Sequence, residues 1–185
     1  MKKNFGRQTY LYPMPVFIIA TYDEDGNVDA MNAAWGGIHD TQQIGICISP
    51  LHKTAKNLLA KKAFTVSMGD AAHVKECDYL GTESGNTVAD KVSRAGLTVT
   101  KSEFVDAPVI NELPMCLECE LVSYNEKTGC MVGEIVNVSA DESILTDGEI
   151  DPSKFTPITY DPVNKNYIQL GAIVGKAFSD GNALK

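Results

Sequence analysis

The fold of this chain is organised around residues 31–58, which have the sequence MNAAWGGIHDTQQIGICISPLHKTAKNL. This stretch contains the only tryptophan of the chain, an apolar segment at residues 44–49, and a short polar turn that opens a helix. A strand end that leads into a helix N-terminus offers free backbone N–H groups and the positive end of the helix dipole. The stretch therefore predicts an anion site, and phosphate is the anion that it favours.

Five polar residues surround the start of this helix: Ser49, His52, Lys53, Thr54 and Asn57. They supply hydroxyl, imidazole, ammonium and amide donors, which suit a phosphate monoester. An ordinary helix with a solvated polar head has the same residue types, so the local sequence leaves both interpretations open. The tryptophan is equally ambiguous, because a single large aromatic residue is most often part of the core.

Composition and charge exclude several classes of protein. The 185 residues include 16 Lys and Arg and 24 Asp and Glu, which gives a net charge of −8 at pH 7. This length and composition predict one globular domain over residues 1–185. The negative charge argues against binding to nucleic acid or to an anionic membrane surface. No apolar run approaches the roughly 18 residues of a membrane-spanning helix, so no membrane association is predicted.

The cysteines predict free thiols and no metal site. Five cysteines are an odd number without the density of a disulfide scaffold, which favours a reducing compartment and a cytoplasmic location. Cys116 and Cys119 have C-x-x-C spacing, but they fall in a predicted strand, where residues three apart point to opposite faces. The three histidines are scattered singly. No set of metal ligands is therefore predicted.

The first half of the chain predicts a hairpin followed by a strand, a helix and another strand. Residues 16–22 and 28–35 are the two strands of the hairpin, and Asp25-Gly26 marks its turn. Residues 44–49 predict a buried strand that ends at Pro50. Residues 54–62 predict a helix, and residues 63–68 a further strand.

The second half of the chain predicts helices at residues 70–80 and 87–94 and four more strands. These strands are residues 97–100, 108–110, 115–124 and 130–138, and the last two form a long hairpin. Asp90 and Lys91 are expected to be a solvated pair on the surface. The fold class is therefore mainly β with short helices, in an antiparallel barrel or Greek-key arrangement. No dinucleotide fingerprint, P-loop or nucleophile elbow is present.

The order of several short motifs resembles the flavin reductase-like family, especially its flavoredoxin branch. In chain order the motifs are Tyr12-Pro-x-Pro-Val16, Asp25-Gly26, Asn32-Ala33-Ala34-Trp35-Gly36, Ile46-Cys47-Ile48-Ser49, His52-Lys53-Thr54-x-x-Asn57, Phe64-Thr65-Val66, Asp78-Tyr79-Leu80-Gly81-Thr82-x-Ser84-Gly85, Asp90-Lys91, Ala107-Pro108 and the C-terminal Pro157, Tyr167 and Gly171. No single motif is specific, but their order extends over most of the chain.

The resemblance implies an FMN-binding split β-barrel that works as a homodimer, with each flavin site near the subunit interface. By similarity, the isoalloxazine ring and ribityl chain are lined, largely through backbone groups, by Asn32, Ala33, Ala34, Trp35, Cys47, Ile48 and Ser49. The phosphate is held by His52, Lys53 and Thr54 with Asn57 behind them, and Lys91 corresponds to a lysine that reaches the flavin. Relatives usually have Arg or Ser in the phosphate turn, so His52-Lys53 keeps the charge without the guanidinium fork.

The function implied is that of an FMN-dependent oxidoreductase or electron-transfer protein. A reduced nicotinamide, NADH or NADPH, or a partner redox protein donates electrons, which pass to a second acceptor. No catalytic acid or base is assigned, because hydride transfer to a flavin does not require one. Two alternatives stay open: a flavin- or small-ligand-binding module without turnover, since fold does not fix function, and a pyridoxamine-phosphate-oxidase-like enzyme.

Overall fold

The computed structural model describes all 185 residues and contains fourteen strands. The strands are β1 (Met14–Pro15), β2 (Phe17–Tyr22), β3 (Val28–Ala33), β4 (Gly36–Asp40), β5 (Gln43–Cys47), β6 (Ala63–Met68), β7 (Val99–Lys101), β8 (Pro108–Ile110), β9 (Met115–Asn125), β10 (Cys130–Ala140), β11 (Leu145–Thr146), β12 (Glu149–Ile150), β13 (Ile158–Asp161) and β14 (Asn166–Gln169). The helices are α1 (Lys53–Lys61), α2 (Val74–Thr82), α3 (Lys91–Arg94) and α4 (Pro152–Phe155), with 3₁₀ turns at Glu142–Ile144 and Asp180–Leu184.

Seven of the strands form one antiparallel sheet in the order β3-β2-β6-β9-β10-β5-β4. The long β9–β10 hairpin contains two register shifts, and bulges of this kind increase the twist of a sheet. Near one of these shifts, a Cβ on Gly133 would lie 2.3 Å from the ring of Phe64, so only glycine allows this close approach. The sheet curls into a half-barrel, and its edge strand β3 is reached by both α1 and α2.

Two apolar cores lie on opposite faces of the sheet. Phe17 and Ile19 of β2 belong to one core and Ile18 and Ala20 to the other, as expected for a strand whose side chains alternate between faces. Helix α1 covers the first core through Ala55 and Leu58. Helix α2 covers the second core through Cys77 and Leu80. Because β2 is covered on both faces, its sequence is a continuous apolar run.

The structure confirms most of the predicted elements and corrects three of them. The hairpins, α1 and β6 lie where the sequence places them, to within a few residues. β3 ends at Ala33, and the unpredicted strand β4 follows, which leaves Trp35 in the connection between them. The predicted helix over residues 87–94 is reduced to α3, and α2 begins at Val74 instead of residue 70. None of the helices is long and apolar enough to cross a membrane.

Candidate functional site

The head of α1 has backbone donors without partners. His52 is the N-cap residue and has an extended backbone, but its side chain makes no capping hydrogen bond. The N–H groups of Lys53, Thr54 and Ala55 have no hydrogen-bond acceptor in the chain. The helix is nine residues long, so its dipole adds positive potential at these donors. This end of α1 is therefore suited to bind an anion, as the sequence predicts.

A small cavity, here called the helix-head cavity, lies at this end of α1 and has a volume of about 140 Å³. It is lined by Met31, His52, Lys53, Thr54, Leu80, Gly81, Thr82, Glu83, Ser84, Gly85 and Lys91. Asn86 ties the turn at residues 81–85 to the start of α1. Its amide accepts a hydrogen bond from Lys56 Nζ at 3.1 Å and donates one to the Leu51 carbonyl at 3.0 Å.

A buried ion pair supports this cavity from below. Lys91 is 2% exposed and lies with its Nζ 3.6 Å from Asp29 Oδ1. The same Nζ donates to the carbonyl oxygen of Glu83 at 3.1 Å, which fixes the turn above it. Asp29 also accepts a hydrogen bond from the Thr54 hydroxyl at 2.5 Å. Burial lowers the pKa of Lys91 below its ordinary value, although Asp29 acts in the opposite direction.

The expectation that Asp90 and Lys91 form a solvated pair is wrong for Lys91. Asp90 is exposed and pairs with Arg94 at 2.8 Å on the surface. Lys91 instead turns inward, because the chain brings it against β3, where the carboxylate of Asp29 compensates its charge. Asp29 lies far from Lys91 in sequence, so no local pattern reveals this pairing.

Some of the predicted phosphate-binding residues keep side-chain donors at the cavity. The others use their side chains for hydrogen bonds inside the protein. Lys53 pairs with Asp23 at 3.2 Å and keeps about a fifth of its side chain exposed. The Thr54 hydroxyl is used by Asp29, and Asn57, which is buried, donates to the Thr21 hydroxyl at 3.2 Å. The side chains of Thr54 and Asn57 therefore anchor α1 to β2 and β3, and the free donors at the cavity are those of the backbone and of His52 and Lys53.

A larger depression of about 310 Å³ adjoins the helix-head cavity, and Gly81 and Thr82 line both. This tyrosine depression is lined by Asn32, Ala34, Asp78, Gly81, Thr82, Tyr160, Lys165 and Tyr167. The Tyr167 hydroxyl donates to Asp78 at 2.8 Å, and burial followed by this contact raises the pKa of the tyrosine. Asp78 and Tyr167 occur in the motifs of the family resemblance, whereas nothing in the sequence singles out Tyr160 or Lys165.

The remaining predicted ring-binding residues lie at the end of β3, in the connection to β4, and at and after the end of β5. Trp35 is 59% exposed, and its carbonyl oxygen accepts the N–H of Cys47 at 2.8 Å, which joins the two predicted segments. Ala33 and the Ile48 side chain are buried in the core that α1 covers. The N–H of Ile48 donates to another backbone carbonyl and its own carbonyl accepts the Tyr124 hydroxyl. Ser49 is exposed.

Asn32 connects the tyrosine depression to α2. Its side-chain amide donates to the Cys77 carbonyl at 3.1 Å, and a Cβ on Gly81 would lie 3.0 Å from the Cβ of Asn32. The strand and the helix are therefore in close contact where the two cavities meet. Asn32 and Ala34 line the tyrosine depression on one side of this junction, and Lys53 and Lys91 line the helix-head cavity on the other.

Comparison with known proteins gives consistent matches over most of the chain. The profile of the family described as "Flavin reductase like domain" matches residues 9–163. The flavoredoxin of Desulfovibrio vulgaris (Miyazaki F) is 39% identical, with a TM-score of 0.93 over 98% of this chain and 100% of that chain. The flavoredoxin from Methanosarcina acetivorans is 26% identical, with a TM-score of 0.91 over 100% of both chains.

A more distant solved structure extends the likeness in fold. It is the FMN-binding domain of a flavin reductases-like enzyme from Shewanella baltica OS155, which is 16% identical, with a TM-score of 0.79 over 88% of each chain. At this identity the match shows the fold alone. Together with the curled antiparallel sheet, it confirms the predicted mainly β, split-barrel architecture.

Proposed function

The chain belongs to the flavin reductase like domain family, and from this membership we propose that it binds FMN and works as a flavin-dependent oxidoreductase or electron-transfer protein. The membership confirms the resemblance found in the sequence. The observation that carries the proposal is the head of α1, where three backbone N–H groups are free beside a cavity. A phosphate monoester fits such a set of donors.

The phosphate is proposed to lie in the helix-head cavity. The free N–H groups of Lys53, Thr54 and Ala55 bind it, and the side chains of His52 and Lys53 add donors at its exposed side. Lys91 contributes positive charge from below. Thr54 and Asn57 act mainly by fixing α1, because their side-chain donors are already bonded inside the protein.

The ring system is proposed to lie towards the tyrosine depression. Because Gly81 and Thr82 line both cavities, one elongated ligand can occupy them together. Asn32 and Ala34 border this depression directly. The other predicted contacts are Ala33, Trp35, Cys47, Ile48 and Ser49, and they rest on the family resemblance. Ile48 is proposed to act by positioning its neighbours, because its side chain is buried and its backbone N–H and carbonyl are already hydrogen-bonded.

When bound, FMN supplies hydride and single-electron transfer. The residues of the chain bind and orient the cofactor, and the cationic groups of Lys53 and Lys91 favour the negative charge of its phosphate. NADH, NADPH or a redox protein is the proposed donor. An anaerobic spectrum of the flavin-loaded protein tests this, since each nicotinamide is expected to bleach the flavin if it is the donor. Failure with both nicotinamides and with protein donors favours the alternative of a binding module.

We also propose that the chain works as a homodimer in a reducing, cytoplasmic environment. Trp35 and Ile38 are 59% and 73% exposed, and they lie next to and on β4, an edge strand of the seven-stranded sheet. Ile38 also borders an apolar cleft of about 450 Å³, which Pro13, Met115 and Leu170 help to line. Light scattering should give twice the mass of one chain, and Ile38→Ser should shift this value towards that of a monomer. A wild-type monomer would contradict the proposal.

The phosphate assignment is tested by giving α1 the cap that it lacks. His52→Asp places a carboxylate at the N-cap, which should raise the free energy of unfolding by about 1 kcal/mol. The same carboxylate repels a phosphate, so the affinity for FMN should fall about tenfold. Riboflavin, which has no phosphate, should bind almost as before. The two affinities are measured by quenching of flavin fluorescence.

His52→Asn is the matched control, because its amide caps the helix without adding charge. It should stabilise the protein in the same way and weaken FMN less than the aspartate does. An equal loss of affinity for FMN and riboflavin in His52→Asp would contradict the placement of the phosphate at α1. Flavin binding at another part of the chain would still be measurable directly after that result.

A further inference from the structure

Cys47 and Cys130 face each other across the neighbouring strands β5 and β10. They are direct register partners in the antiparallel ladder, although they are 83 residues apart in sequence. Their Sγ atoms lie 2.7 Å from each other. The other three cysteines of the chain are buried and have no such partner. This is the one place where two thiols of the chain meet.

The backbone places these two cysteines at a position that a disulfide can bridge. The N–H of Ile48, next to Cys47, donates to the carbonyl of Gly129, next to Cys130. The two cysteines are therefore a non-hydrogen-bonded pair, whose Cα atoms are about 4.5 Å apart in a regular ladder. A disulfide requires a Cα separation of about 4.4–6.8 Å. The pair can therefore close without movement of the strands.

The two thiols differ in exposure and acidity. Cys130 is exposed, whereas Cys47 is half-buried. Hydrogen bonds from the Cys47 thiol and from Thr128 lower the pKa of Cys130. The same contact with Cys130, together with burial, raises the pKa of Cys47 to about 11. Cys130 is therefore the thiol that forms a thiolate first and that an external reagent reaches first.

We propose that Cys47 and Cys130 are a redox-active dithiol that reduces low-molecular-weight disulfides. The Cys130 thiolate attacks one sulfur of the substrate RS–SR, which forms a mixed disulfide and releases RS⁻, which takes up a proton to become RSH. Cys47 then loses its proton and attacks the Sγ of Cys130, which releases the second RS⁻. Two electrons pass from the protein to the substrate, so that one protein disulfide and two RSH are formed. This activity is additional to the proposed flavin function and needs no electrons from the flavin, although Cys47 is also one of the proposed ring contacts.

The first test is to incubate the flavin-loaded protein, with its thiols reduced and its flavin oxidised, with oxidised glutathione. The number of free thiols should fall from five to three, and the protein mass should fall by two hydrogens. A peptide containing Cys47 should be linked to one containing Cys130, and dithiothreitol should reverse the change. Retention of all five thiols would overturn the proposal, and so would attachment of glutathione to both cysteines without a link between them.

Single substitutions separate the two roles. Cys47→Ser removes the resolving thiol, so glutathione should stay attached to Cys130 as a stable mixed disulfide. Cys130→Ser should react with glutathione at least about tenfold more slowly, because the remaining thiol is half-buried. Cys77→Ser removes a buried thiol and should leave closure of the pair unchanged. Equal reaction rates for Cys47→Ser and Cys130→Ser would overturn the assignment of the attacking thiol.

The folding of each serine variant is checked separately. Both Cys47 and Cys130 lie at the exposed end of the β5–β10 ladder, and serine is close in size to cysteine. Circular dichroism of each variant should match that of the wild type. If a serine variant fails to fold, labelling of the wild type with iodoacetamide decides the question, because Cys130 should be modified before every other cysteine. Modification of another cysteine first would contradict the proposal.

Discussion

The helix-head cavity and the tyrosine depression adjoin each other but are built in different ways. The first uses backbone N–H groups of one helix, and a buried ion pair between Asp29 and Lys91 holds it in place. The second uses side chains from β3, α2 and the C-terminal hairpin β13–β14. Backbone donors that are fixed by a helix have little freedom to adapt, whereas side chains from distant segments depend on how those segments pack. We therefore propose that the helix-head cavity anchors the ligand and that the tyrosine depression is the part of the site that adjusts to it.

Removal of the buried Asp29 carboxylate, which holds the helix-head cavity in place, should have the largest effect on the protein. Asp29→Ala leaves Lys91 buried without a counter-charge, which typically costs about 3–5 kcal/mol of unfolding free energy. Lys53→Met is the control, because it breaks the more exposed pair with Asp23 and should cost at most about 1 kcal/mol. Urea denaturation measures both values. Similar losses in the two variants would show that the ion pair does not support the cavity.

Crowding at the same carboxylate should have the next largest effect. A Cβ on Gly85 would lie 2.1 Å from Asp29 Oδ1, so Gly85→Ala should displace the turn and cost about 1–3 kcal/mol. Gly37→Ala is the control, because a Cβ at that position meets no atom within 4 Å. FMN affinity should fall in Gly85→Ala and not in Gly37→Ala. An unchanged affinity for FMN in Gly85→Ala would mean that the turn at residues 81–85 does not contribute to phosphate binding.

A substitution in the tyrosine depression should have a smaller effect on flavin affinity, and this effect should be the same for ligands with and without a phosphate. Tyr167→Phe removes one hydrogen bond to Asp78, which corresponds to about 0.5–1.5 kcal/mol. We expect FMN and riboflavin to lose affinity to the same extent, in contrast to the difference expected for His52→Asp. Isothermal titration with both ligands measures this. A loss of affinity for FMN alone would place the phosphate in the tyrosine depression. It would contradict the roles given to the two cavities.

The smallest expected effect is a change in stability with pH. Because the pKa of Lys91 is lowered in the folded protein, the unfolded chain binds this proton more tightly between that lowered value and the ordinary value of 10.5. The contribution of Lys91 to stability therefore increases as pH rises through this interval. The wild type should gain stability relative to Lys91→Met between pH 8 and pH 10.5 in urea denaturation. A difference that stays constant would mean that Lys91 keeps its ordinary pKa.

The parts of the molecule that the sequence predicts are those determined by neighbouring residues. The Asp25-Gly26 turn, the long β9–β10 hairpin and the start of α1 depend on local patterns, and all three are found. The strand β4 is missed because Gly36-Gly37 and the exposed residues after it lack the usual composition of a strand. The order of motifs, rather than any single one, identifies the family.

The parts that the sequence does not predict depend on contacts between distant segments. Asp29 meets Lys91, and Asn32 borders the same depression as Tyr160, only because the sheet brings β3 next to α3 and the C-terminal hairpin. The cysteines give the clearest example. Cys116 and Cys119 have C-x-x-C spacing, but their place in a strand separates them, whereas the thiols that meet are partners across a strand ladder whose register is not visible in the sequence.

The missing N-cap of α1 links the stability of the protein to the supply of its ligand. In the proposed site, an anion bound to the free N–H groups takes the place of the absent capping side chain, so the ligand would complete the helix. A ligand present at 100 times its dissociation constant stabilises the folded state by about 2.7 kcal/mol. Copies without ligand unfold more often and are exposed to proteolysis. The cellular abundance of this protein should therefore rise and fall with the concentration of the phosphate ester that it binds.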